Sequence, residues 1–316
     1  MVQKTNWSLR ISDSRRKKLW RSIRDWYRDK QRELPWRKTR DPYRIFVSEI
    51  MLQQTQVNHV IGKYREFLRR FPTVRSLAFA RTSDVIRAWS GLGYNMRAVR
   101  LLRVAQEVVE RFGGKIPSDP ELLLQLPGIG QYTANAIASF AFELSVPVVD
   151  TNIRRVISRL FFSMRYCDER VSEQSAWKIA GELLPRTRPR DWTLALMDLG
   201  STICTGSRPR CSECPVNRLC RSSFLLDGKR ITRHRLKMEP SHEGIPNRLY
   251  RGRIVEVLRS LNGSRPVSLR KLGTKIKTPF RRSDEDWLRG ILDDLQRDGL
   301  VKVVGRSPDS ICISLP

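Results

Sequence analysis

Long apolar runs are missing from this chain of 316 residues. No stretch approaches the roughly 18 to 20 apolar residues of a membrane-spanning helix. The opening MVQKTNWSLRISDSRRKKLW also lacks the apolar centre of a secretory signal. Both absences predict an intracellular, cytoplasmic protein. Acids are scarce too: 32 Asp and Glu face 60 Lys and Arg, for a formal net charge of +28. Such a surplus favours polyanionic partners, because neutralising phosphates releases their condensed counterions. Nucleic acid leads among them, although a heavily solvated surface or adaptation to heat or acid would carry similar charge. Cysteine is sparse at six residues, which does not suggest a disulfide-stapled secreted domain, and four of the six fall within seventeen positions. That clustering reads as metal ligation. Internal repeats and low-complexity tracts are absent.

What the chain does have is 40% hydrophobic residues, enough for a sizeable core in one large or two ordinary domains. Apolar positions recur at helical spacing at Leu19, Trp20, Ile23, Trp26 and Tyr27, and again from Val60 to Phe71. Similar periodicity predicts helices near 44–57, 83–90, 95–112, 132–142, 152–161, 173–184 and 191–203, so the first 225 residues read as mainly α. Residues 226–248, basic and broken by Gly and Pro, read as a linker. From 249 to 316 the pattern is helix (Tyr250 to Leu261), short helix (Leu269 to Ile276), helix (Asp284 to Asp298), then a strand, turn and strand. That order suggests a small winged-helix-like α+β domain, a fold that serves equally for duplex binding and for protein docking.

Three constellations could carry chemistry. In LPGIGQYTA, Gly128 and Gly130 permit a tight turn that leaves the amides of the next helix free to hold a phosphate oxygen. Twenty residues on, Asp150 precedes TNIRRVISRLFF, whose Val156, Ile157, Leu160 and Phe161 form an apolar stripe. Its simplest role is an N-cap; a catalytic role would need a cationic transition state and a partner acid. Glu49, set among Val47, Ile50, Met51 and Leu52, is the candidate partner, or else an exposed helix glutamate. Finally, Cys204, Cys211, Cys214 and Cys220 are spaced C-x6-C-x2-C-x5-C with no histidine nearby, which suits an iron–sulfur cluster or structural zinc. Cys167 and Cys312 stand alone and read as packing residues.

From about Leu19 to Cys220 the chain resembles the helix-hairpin-helix DNA glycosylases that carry an iron–sulfur cluster, most closely the MutY-type adenine glycosylases. The resemblance rests on LPWR (34–37), SEIMLQQTQV (48–57), GLGYNMRA (91–98), LPGIGQYTANAIASFAF (126–142), VVDTNIRRV (148–156), LMDLG (196–200) and the cysteine spacing. It implies a mainly α fold of two helical lobes with a loop that binds one [4Fe-4S] cluster. It also implies a monomer acting on mismatched double-stranded DNA in base excision repair, associated with the nucleoid. Residue by residue, Glu49 matches the family's catalytic acid and Asp150 its catalytic aspartate, with Asn152 supporting Asp150. Trp36 and Arg37 would line the base pocket, while Gln53, Gln54 and Tyr94 would fill or wedge the space left by the extruded base. Breaking an N-glycosidic bond leaves positive charge on the sugar, which a carboxylate stabilises most in the transition state. The departing purine needs an acid still protonated near neutral pH, the state that an apolar pocket favours for Glu49. Related endonuclease III-type enzymes carry a Schiff-base lysine at the position of Tyr132, so tyrosine here implies base removal without an efficient strand-cleaving step.

Two features depart from the pattern. Leu194 stands where adenine glycosylases usually carry Gln or Glu to bond the adenine edge, and the sister group of thymine-removing mismatch glycosylases can carry leucine there. The C-terminal unit, moreover, does not resemble the Nudix-like domain with which many adenine glycosylases recognise 8-oxoguanine. Adenine excision opposite 8-oxoguanine or guanine is the leading expectation. Thymine or uracil excision opposite guanine is the rival, and a non-catalytic iron–sulfur DNA-binding protein a more distant one.

Overall fold

Ser12 starts the first helix, α1 (Asp13–Lys30), its hydroxyl accepting the Arg15 amide, and Leu19, Ile23 and Tyr27 form the buried face. The computed structural model describes residues 11–164, 170–223, 225, 239–261, 266–305 and 311–316. Cys167 and most of the segment read as a linker, 226–238, lie outside them. Helices dominate: α2 (Pro42–Leu52), α3 (Val57–Arg70), α4 (Val74–Ala78), α5 (Thr82–Ala88), α6 (Met96–Phe112) and α7 (Pro120–Leu124) precede α8 (Gln131–Phe142). They continue as α9 (Thr151–Phe161), α10 (Glu173–Leu183) and α11 (Pro189–Asp198), the last running into a π-helical turn, Leu199–Ile203.

The chain divides into two compact units, one built from residues 1–45, 118–124 and 129–235, the other from 46–117, 125–128 and 236–316. In the first, Leu19 and Ile23 pack in one core with Ile153, Ile157 and Leu160 of α9 and with Ala195 and Leu196 of α11. This bears out the apolar stripe read on α9. No helix among the described residues is long and apolar enough to cross a membrane.

The second unit holds α3 to α6 and the C-terminal elements: a short hairpin, β1 (Ser241–His242) and β2 (Ile245–Pro246), then α12 (Asn247–Ser260), β3 (Val267–Ser268), α13 (Leu269–Ile276), α14 (Glu285–Arg297), β4 (Lys302–Val304) and β5 (Cys312–Ser314). An antiparallel sheet of order β3-β5-β4 pairs Ile313 with both Val267 and Val303. The helix–helix–helix–hairpin order is as the sequence predicts; β3 and the β1–β2 hairpin are additions, too short at two residues each to show a period. Tyr250, Ile254, Leu288, Leu292 and Ile313 share their core with Ile86 of α5 and Val99 of α6.

One boundary differs informatively. Periodicity carries a helix from 44 to 57, but α2 stops at Leu52 and Gln54 adopts φ 55°. The cause is the buried Arg97, whose guanidinium donates to the carbonyls of Ile50 (3.0 Å), Met51 (2.9 Å) and Gln53 at the end of α2. Such carbonyls have no partner within a helix, and an arginine is the donor best suited to collect several of them.

Candidate active site

Asp150 is the N-cap of α9: one carboxylate oxygen accepts the Ile153 amide at 2.6 Å and the other accepts the Asn152 side-chain amide at 2.8 Å. Asn152 in turn accepts from Arg155 Nη2 at 2.8 Å. The same guanidinium donates to the Gly200 carbonyl at 2.6 Å and, through Nε, to the Cys204 carbonyl at 2.8 Å. Hydrogen bonds therefore run without a break from Asp150 to the first cysteine of the loop. This approach requires glycine at position 200, because a Cβ there would sit 2.8 Å from the Cβ of Asn152. Burial pushes the Asp150 carboxyl above its ordinary value, opposed by the Ile153 amide, Asn152 and the charge of Arg155. A poorly solvated carboxylate of this kind interacts strongly with any cation formed beside it.

The four cysteines follow the π-helical turn, on short 3-10 turns at Cys211–Glu213 and Asn217–Leu219. All four are half-buried. Arg159, one turn beyond Arg155 on α9, donates to Cys204 Sγ at 3.4 Å and to the Thr205 carbonyl at 2.7 Å, while its own carbonyl accepts from Cys220 Sγ at 3.2 Å. Arg15 holds the loop's far end through the Leu219 carbonyl at 2.8 Å. Burial, reinforced by the neighbouring cysteines, pushes the Cys214 thiol up to about 12 and Cys220 up to about 11. Buried thiols such as Cys214 and Cys220 become thiolates only against positive charge, and four cysteines gathered on one short loop are a donor set that fits a metal centre.

Trp36 lies in the 3-10 turn Pro35–Arg37 and is buried. The Arg37 guanidinium grips Asp198 bidentately, at 2.6 and 2.7 Å, and Arg32 adds a second charged contact at 2.5 Å. Asp198 is wholly buried; burial pushes its carboxyl up, but the hydrogen bonds and charges of Arg37 and Arg32 outweigh that and hold it below the carboxylate range. Leu194, one turn earlier on α11, is buried in the core of the first unit, and Tyr132 packs half-buried against that core. Gly130 caps α8 in extended backbone.

In the second unit Glu49 is buried on α2. Arg97 gathers the end of that helix and the GLGYN turn together: besides the α2 carbonyls it donates to Thr55 Oγ1 (2.9 Å) and to the carbonyls of Leu92 (3.0 Å) and Gly93 (3.1 Å). Burial pushes this guanidinium down to about 10, so it remains charged at neutral pH. Gln53, Gln54 and Tyr94 consequently line one cavity of about 500 Å³. Tyr94 is 55% exposed with φ 43°, an uncommon backbone for a bulky residue. At Gly128, φ is 78° and the Arg100 side chain passes close enough to crowd a Cβ at 3.2 Å.

Asp198, Arg155, Arg159 and Arg97 escaped notice in the sequence. The signal for Asp198 is in the sequence: an acid within the apolar run TLALMDLG, the same pattern that marks Glu49. Arg97 and Arg155 lie inside the motifs GLGYNMRA and VVDTNIRRV, but among 60 Lys and Arg nothing local marks which arginines are buried.

Residues 47–182 match the HhH-GPD superfamily of base excision DNA repair proteins. The chain is 42% identical over 204 residues to the adenine DNA glycosylase of Homo sapiens, which involves 64% of this chain and 36% of that protein. It is 37% identical over 259 residues to the adenine DNA glycosylase of Mycolicibacterium smegmatis, 82% of this chain and 83% of the relative. The chain thus spans little more than a third of the length of the mammalian relatives it matches and most of the mycobacterial one. Among solved structures, a thermostable thymine-DNA glycosylase shares the fold at a TM-score of 0.62 and 32% identity, over 67% of this chain and 97% of that one. With a bacterial match over most of both chains and the helix-hairpin-helix superfamily match in agreement, the chain belongs to the adenine DNA glycosylase family of the HhH-GPD superfamily.

Proposed function

We propose that this chain is a monofunctional DNA glycosylase that hydrolyses the N-glycosidic bond of adenine mispaired with 8-oxoguanine or guanine in duplex DNA. The observation that carries the reading is Asp150: both oxygens are fixed by hydrogen bonds, and burial leaves its charge poorly solvated. Bond cleavage sends the electron pair to the purine, which takes a proton from Glu49, and leaves positive charge on the deoxyribose, which Asp150 stabilises. Water then adds to the anomeric carbon, its proton going to the Glu49 carboxylate left by the first step, and an abasic site remains. Asn152 keeps the Asp150 carboxylate aimed; Trp36, Arg37 and Leu194 belong to the base pocket, while Gln53, Gln54 and Tyr94 occupy the gap in the stack. Gly128 and Gly130 bring backbone amides to a phosphate. Tyr132 offers no amine for a Schiff base, which limits the reaction to base removal. The enzyme works as a monomer on the DNA of the nucleoid.

Cys204, Cys211, Cys214 and Cys220 would hold one [4Fe-4S] cluster in this reading, and the bound cluster would supply the positive charge that stabilises thiolate ligands. Ligation by Cys204 would fix the loop whose Cys204 carbonyl anchors Arg155 and, through Asn152, Asp150. The purified protein is expected to be brown, with an absorption band near ~400 nm; a colourless, zinc-loaded protein would contradict the assignment.

Leu194 favours a second reading, thymine or uracil removal opposite guanine, because it offers adenine no hydrogen bond. Single-turnover reactions on A·8-oxoguanine, A·G, T·G and U·G duplexes separate the two. The proposal expects excision from the adenine pairs, no excision from the others, and little covalent adduct on borohydride treatment. Excision from T·G with adenine spared would overturn the substrate assignment, and high-yield trapping would overturn the monofunctional one.

A further inference from the structure

The C-terminal elements are fastened beside Tyr94 rather than loosely appended. Arg259 of α12 donates to the Ile86 carbonyl at 3.0 Å and to the Asn95 side chain at 2.8 Å. Ser90 meets Glu256 of the same helix at 3.4 Å. Gln54 and Tyr94 share the lining of their cavity with Arg248 and Arg251 in the first turns of α12 and with Arg100 of α6. Arg251 is committed to Asp294 and Asp298. Arg100 is exposed, and Arg248, whose side chain is 58% exposed, pairs only with Glu239 at 2.9 Å among the described residues. A surface pair of that kind is worth little and yields readily to a phosphate.

The helix that enters the major groove in helix-turn-helix proteins points the other way electrostatically. Here that helix is α14, with four acids, Glu285, Asp286, Asp293 and Asp294, against two arginines, and Asp286 and Asp293 are exposed. Within a chain of net charge +28, this face repels a phosphate backbone.

We infer that the C-terminal unit meets DNA through the cavity beside Tyr94, with Arg100 and Arg248 on backbone phosphates next to the wedged base step, and not through α14. The inference rests on the DNA glycosylase reading for its ligand. Exposed, non-helical backbone at Gln54 and Tyr94, pinned from behind by Arg97, gives bases a place to part; flanking guanidinium groups hold the strand while they do.

The test is the affinity of a short labelled duplex, carrying A·8-oxoguanine with a hydrolysis-resistant 2′-fluorinated target sugar, measured between about 50 and 200 mM salt. Arg100→Gln and Arg248→Gln keep the aliphatic stems while removing the charge. Each is expected to weaken binding about tenfold and to flatten the salt slope by about one. Arg297→Gln on α14 is expected to leave both unchanged. Wild-type affinity and slope in the Arg100→Gln, Arg248→Gln double variant would overturn the inference and leave the unit as a protein docking module. A loss at Arg297→Gln as large as at Arg248→Gln would overturn it in favour of α14. Excision from the unfluorinated duplex, run in parallel, separates the two claims: arginine-dependent binding without base release sinks the glycosylase reading and leaves this contact surface standing.

Discussion

Asp150→Asn is expected to slow single-turnover base release about a thousandfold, the upper end of what loss of one preorganised electrostatic contact costs, while raising the melting temperature. The two effects share one cause. Burial raises the Asp150 carboxyl above its unfolded value even after the Ile153 amide, Asn152 and Arg155 have acted on it. The folded state then binds this proton more tightly than the unfolded state does, so stability falls as pH rises from the ordinary carboxylate value through the raised native one. At neutral pH the ionised Asp150 is a net cost to folding. Asparagine keeps the cap, since its carbonyl accepts the Ile153 amide, and removes the charge. Its advantage in melting temperature should shrink as the pH is lowered through that window. An unimpaired rate would remove Asp150 from the chemistry; a lower melting temperature would show that its charge stabilises the fold.

Asp198→Asn should act in the opposite sense, on the fold more than on the chemistry. Asp198 is fully buried and holds Arg37 and Arg32 at once. Neutralising it strands two guanidinium groups, a change of about 3 to 5 kcal/mol when one side of a buried ion pair is lost. For a chain of this size that is about 10 °C in melting temperature. Because its native carboxyl lies below the unfolded value, the contribution is present above the ordinary carboxylate range and disappears as pH falls through the lowered native value. Thermal unfolding of both proteins across that range should therefore converge at acid pH. A variant as stable as the wild type at neutral pH would mean that the ion pairs contribute nothing.

These two carboxylates show what a sequence discloses and what it conceals. Asp150 was legible because a helix start follows it and its surrounding motifs resemble a known family; its N-cap geometry and its catalytic assignment turn out to be compatible, since capping is what aims the carboxylate. Most helices were legible for the same local reason: apolar residues at spacings of three and four. The end of α2 was not, because a residue 45 positions away, Arg97, collects its last carbonyls. Nor was the line from Asp150 to Cys204, which depends on one glycine at 200 and on the choice of Arg155 over its neighbour Arg154, a distinction that only packing makes. The C-terminal unit was legible as an order of elements, whereas its attachment to α5 and α6 needed the folded core.

The central claim is the identity of the base removed. The direct measurement is chromatography of the free base released under single-turnover conditions from a duplex that presents A·8-oxoguanine and T·G pairs together. Free adenine, with the DNA strand left intact around an abasic site, is the result expected from Glu49 and Asp150 acting without a Schiff-base lysine. Thymine in its place, or no free base at all, would contradict the account.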